Sequence, residues 1–192
     1  MRARLLLLTL ILSSLAVLSG CVPVIVAGGA TAAVATTDRR TLGSFLDDEA
    51  IELKSRKALN SDEKLGDEIH VNITSVNGVV LLTGEAENNE LLDRVLTQVR
   101  SVAGIRRIVN EIRVAPPREF AYRTNDAWIT GKVKSKMLST DDLDAHRIKV
   151  VTENSVVYLM GLVKKTEADL ATEATRSVAG VKRVVKLFEY ID

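Results

Sequence analysis

From residue 46 onward, apolar positions follow two alternating periods, and the same succession of periods occurs twice. An amphipathic segment at 46–60 precedes Ile69, Val71 and Ile73, which recur at every second position as in a strand with one buried face. Asn77-Gly78 is a strong signal for a two-residue hairpin, and a second alternating run is predicted to continue to Gly84. Helical spacing then returns over 88–102 with Leu91, Leu92, Val95, Leu96 and Val99 on one face, and a third strand is predicted at 105–114. The second succession runs through an amphipathic segment at 124–139, Ile148 and Val150, a turn at Asn154-Ser155, and a run to Gly161. It ends with a helix at 165–178 carrying Leu170, Ala171, Ala174 and Val178, then a strand at 181–191. The predicted fold class is α+β: two units of order α-β-β-α-β, each a three-stranded sheet with two helices packed on it.

The two successions are copies. Residues 71–84 align with 148–161 without a gap, 101–109 with 177–185, and 48–51 with 126–129. Gly104 and Gly180 fall where a helix C-terminus calls for positive φ. The expected organisation is a first domain at 46–115, a linker at 116–123 marked by Ala115-Pro116-Pro117, and a second domain at 124–192.

The amino terminus is of another kind. Arg2 and Arg4 precede an apolar run from Leu5 to Leu18 that is too short for a spanning helix of about 20 residues, which fits a secretory leader at 1–20. Leu18-Ser19-Gly20-Cys21 resembles the lipobox of bacterial lipoproteins, and Cys21 is the chain's single cysteine. That resemblance implies cleavage before Cys21, a diacylglyceryl group on its sulfur and an acyl chain on its amino group, with no other cofactor. Val22, rather than Asp, after the cysteine favours the outer membrane by resemblance to lipoprotein sorting. Residues 21–45 then form a flexible tether rich in Ala, Gly, Thr and Val.

Charge excludes one class of partner. The whole chain carries +1, and loss of the two leader arginines leaves −1, so no bulk basicity points to nucleic acid. Catalysis and metal binding are not expected either. His70 and His146 occupy non-equivalent repeat positions, and the acidic groups Asp47-Asp48-Glu49 and Asp141-Asp142 suit helix ends and turns.

The first helix of the second copy is the informative element. At 100° per residue, Ile129, Val133 and Met137 make a core stripe, while Trp128, Gly131, Ser135 and Leu138 make a second face flanked by Lys132 and Lys134. A tryptophan ring suits a membrane interface, and lysines reach toward lipid phosphates. The same face would also suit packing against the other domain, with Gly131 and Ser135 allowing close approach. In the first copy these positions hold Ala50, Leu53, Lys57 and Asn60, so most of the face is lost. Tyr122 would extend the apolar patch or pin the linker.

The paired units, the hairpins ending in glycine and the repeated Ser-Val-Ala-Gly-[Ile/Val]-x-Arg-[Ile/Val]-Val at 101–109 and 177–185 resemble paired BON domains. With the lipobox, the chain resembles dual-BON outer-membrane lipoproteins. The resemblance implies an αββαβ fold, no enzymatic activity, binding of anionic phospholipid such as phosphatidylglycerol, support of envelope integrity, and enrichment at division sites. The alternative is a periplasm-facing adaptor that regulates an outer-membrane assembly machine or a cell-wall remodelling enzyme, with its partner surface on the first copy, on its sheet for example.

Overall fold

The structure, a computed structural model, describes residues 40–118 and 120–191. The leader, Cys21 and the tether up to 39 lie outside the described residues, as does the side chain of Tyr122. The chain runs through α1 (Leu42–Asn60), β1 (Ile69–Val76), β2 (Val79–Ala86), α2 (Asn89–Arg100) and β3 (Arg107–Val114). The second copy repeats this with α3 (Phe120–Leu138), β4 (Lys149–Glu153), β5 (Val156–Val163), α4 (Lys165–Arg176) and β6 (Arg183–Tyr190).

Both leading helices begin four residues earlier than their periodicity predicts. Thr41 accepts a hydrogen bond from the Ser44 N–H and so caps α1 ahead of its amphipathic part, within the segment assigned to the tether. α3 likewise takes up the end of the predicted linker.

In each sheet the middle strand is the second. β1 runs antiparallel and β3 parallel to β2, and β4 and β6 flank β5 in the same way. The hairpin turns have positive φ at both central residues: 52° and 72° at Asn77 and Gly78, 52° and 62° at Asn154 and Ser155. That is the turn whose twist matches its strands. Gly84 and Gly161, which close the repeated hairpin motif, also have positive φ, and an added Cβ would overlap the carbonyl oxygen of His70 or Arg147 on the neighbouring chain segment. Gly104 and Gly180 have positive φ too, but they lie beyond the helix ends, which are capped by Ser101 and Ser177.

Every residue of β2 is buried. Val80 and Leu82 face Ile51, Val95 and Val99 from α1 and α2, forming one core. Val79 and Leu81, pointing the other way, meet Tyr158 and Met160 of β5. The two sheets therefore pack back to back, with each helix pair on the outer side. The alternation expected of β2 is therefore not found: Val79–Leu82, and Val156–Met160 in β5, are apolar throughout, because a strand buried on both faces has no polar alternation. The second domain's core gathers Ile129, Val133, Met137, Val157, Leu159 and Phe188.

Polar contacts border the junction. Tyr158 donates its hydroxyl to Glu111 across it at 3.1 Å, Asn72 donates to Glu153 at 3.1 Å, and Asn77 donates to Glu189 at 2.6 Å. Arg118, in the linker, reaches Glu85 of the first domain at 2.6 Å and pairs with Glu153 and Asp126 of the second.

The acidic residues of the leading helices serve a purpose that their charge alone does not reveal. Asp48 is buried, accepting hydrogen bonds from Ser75 Oγ at 2.6 Å and from the backbone N–H groups of Asn77 and Gly78 at 2.7 and 2.8 Å. Asp126 accepts from the N–H groups of Asn154 and Ser155, both at 2.8 Å. Each aspartate is also paired with the arginine eight residues before it, Arg40 or Arg118. Asp48 is thus no solvated helix-end charge; it is a clamp holding a hairpin turn against a helix.

Candidate lipid-facing site

α3 carries apolar side chains on two opposite faces. Ile129, Val133 and Met137 are almost fully buried, as their spacing predicts. On the other side Trp128 is 68% exposed and Leu138 61% exposed. Packing of Trp128 against the first domain is thereby overturned, because the back-to-back sheets supply the junction and leave this helix face outward. Gly131, Lys134 and Ser135 are exposed between the two large side chains, and nothing lies within 4 Å of where a Cβ on Gly131 would stand.

The two flanking lysines differ. Lys134 is exposed, whereas Lys132 is half-buried and donates from Nζ to the Ala179 carbonyl at 2.6 Å. Lys132 thus ties α3 to the turn between α4 and β6, and Lys134 is the cation set beside the aromatic face.

A second exposed apolar feature escaped the periodicity. Leu42, Leu46 and Leu53 of α1 are 56%, 59% and 66% exposed. Their spacing of four and seven residues puts them within about 40° of one another around the helix. Leu42 precedes the segment that reads as amphipathic and Leu46 only opens it, and this hid the stripe; the spacing 42, 46, 53 was the available signal.

The end of α3 meets the first domain at a cleft of about 280 Å³ lined by Phe45, Val76, Lys134, Leu138, His146 and Lys149 among others. On the opposite edge of the junction, burial pushes the Glu153 carboxyl up from its ordinary value, and the nearby Arg118 guanidinium and the Asn72 amide only partly oppose this. Among the described residues no cluster of histidine, cysteine and carboxylate could hold a metal, and no helix is long and apolar enough to cross a membrane.

The BON domain family model matches residues 47–116 and again 125–192. Outer membrane lipoprotein DolP of Haemophilus influenzae is 38% identical over 185 residues, covering 96% of both chains. A 21 kDa hemolysin of Actinobacillus pleuropneumoniae is 34% identical over 80% of this chain and 79% of its own. Osmotically-inducible protein Y of Escherichia coli is 27% identical over 74% of this chain and 72% of its own. Two αββαβ units that each match the family, in a chain similar over nearly its whole length to an outer-membrane lipoprotein, place it plainly: it belongs to the BON-domain family and is an outer-membrane lipoprotein with two such domains.

Proposed function

We propose that this protein is a non-enzymatic envelope component that docks on anionic phospholipid, phosphatidylglycerol for example, through the Trp128 face of α3. The lipid on Cys21 gives permanent residence on the outer membrane, and α3 lets the domains distinguish regions of that membrane. Support of envelope integrity and enrichment at division sites belong to this reading.

The observation that carries it is the exposure of Trp128 and Leu138 together on one face, with Gly131, Ser135 and Lys134 between them. An indole is apolar in its body and hydrated at its N–H, which suits a headgroup layer. Lysine adds about 1 kcal/mol of attraction near an anionic surface. A tether would make weak docking sufficient: about 20 residues separate Cys21 from α1, and a flexible chain of that length would span roughly 25 Å and hold the face at high effective concentration near the bilayer.

Vesicle flotation of residues 22–192, which hold every element of both cores, tests the reading. Trp128→Glu should abolish binding to phosphatidylglycerol vesicles. Lys134→Glu, a reversal worth about 2 kcal/mol, should weaken binding about thirtyfold. Unchanged binding of Trp128→Glu would refute the proposal.

The adaptor reading draws on a different feature. The first domain's sheet is covered by the second sheet, so a partner could not use its outer face, but Leu42, Leu46 and Leu53 offer an uncovered stripe. A partner such as an assembly machine or a cell-wall remodelling enzyme, held there, would be lost in Leu46→Glu while vesicle binding persisted.

A further inference from the structure

The cleft between the end of α3 and the first domain combines two properties that the exposed face lacks: concavity and a cluster of several cations. Arg40, Lys134, Arg147 and Lys149 line it together with His146, and no carboxylate does. Asp48 holds Arg40, and Asp144 and Glu167 hold Arg147, so those two charges are largely committed within the fold. Lys134 and Lys149 are exposed and pair with no carboxylate among the described residues.

The rest of the lining is apolar. Met137 and Met160 are fully buried at its floor, Val76 is nearly so, and Phe45 and Leu138 stand at its sides. The lining thus comes from both domains: Arg40, Phe45 and Val76 from the first, the remainder from the second. Methionine side chains adapt to irregular apolar shapes. At about 280 Å³ the cleft lies at the lower limit for ligand pockets, of roughly 300 Å³, which is room for part of one lipid.

We propose that this cleft seats one anionic glycerophospholipid of the leaflet on which α3 docks, its phosphate between Lys134 and Lys149 and its upper acyl chain against Phe45 and Leu138. The inference rests on the docking reading and deepens it. Charge complementarity argues for an anion, the apolar floor argues for an attached chain, and continuity argues for membrane lipid, because Lys134 and Leu138 belong to both cleft and docking face. The first domain then builds one wall of the site and is more than a spacer.

The test is photo-crosslinking of residues 22–192 to vesicles of phosphatidylcholine containing phosphatidylglycerol with a diazirine near the top of one chain, mapped by mass spectrometry. Adducts are expected on Phe45 and Leu138 as well as Trp128. Lys149→Glu, at an exposed position away from both cores, should lower the Phe45 adduct at least fivefold and leave the Trp128 adduct in place, with an unchanged circular dichroism spectrum. Adducts confined to the Trp128 face would overturn the cleft assignment and leave docking intact. Absence of adducts at any position would overturn both.

Discussion

Asp48 and Asp126 show how one side chain fixes the relation between elements. Each sits on the leading helix of its domain and satisfies the N–H groups of a hairpin turn whose backbone is in the left-handed region. Replacing Asp48 with alanine strands three donors and the Arg40 guanidinium in a buried place. Breaking a buried pair costs about 3–5 kcal/mol. Asp48→Ala should therefore lose at least about 3 kcal/mol in urea unfolding, whereas Leu53→Ala at an exposed position should change stability by under about 0.5 kcal/mol. The aspartates were visible in the sequence as aligned members of the repeat. Their task was not, because their acceptor sites face turn residues 27–30 positions away, and proximity in the chain suggested only helix-end charge.

At the level of elements, α3 explains both the success and the limits of reading by period. A helix with apolar side chains on two faces has one core stripe and one spare, and the 100° rule separated Ile129, Val133 and Met137 from Trp128 and Leu138 correctly. It could not tell Lys132 from Lys134, since the carbonyl that holds Lys132 is 47 residues downstream. Nor could it show which elements form the domain junction, because the apolar stretches Val79–Leu82 of β2 and Val156–Met160 of β5 announce burial without naming a partner. At that junction Glu153 supplies a pH-dependent term. Burial raises its pKa above the ordinary 4.5, so the folded state binds the proton more tightly than the unfolded one. Its contribution to stability is present in full below about pH 4.5 and is lost as pH rises through the raised native value. Unfolding free energy followed from pH 4 upward should show this fall in the native chain and a flatter profile in Glu153→Gln; parallel profiles would assign the pH dependence elsewhere.

For the molecule as a whole, two domains that each own a core also share a third one between their sheets, reinforced by Arg118 and by the Tyr158–Glu111 hydrogen bond. Such a body should unfold in one cooperative transition, with tryptophan emission from the second domain and far-ultraviolet circular dichroism from both giving the same midpoint; two separated midpoints would contradict a shared core. Sheets turned inward send both leading helices outward, which leaves the Trp128 face of α3 and the leucine stripe of α1 exposed. In the proposed reading a lipid on Cys21 sets residence, and α3 is assigned discrimination. Because Trp128 is the chain's single tryptophan and is mostly exposed, its emission reports directly on that assignment. Titration of residues 22–192 with phosphatidylglycerol and, separately, phosphatidylcholine micelles should blue-shift the emission with the anionic lipid alone; no shift with phosphatidylglycerol, or equal shifts with both, would contradict it.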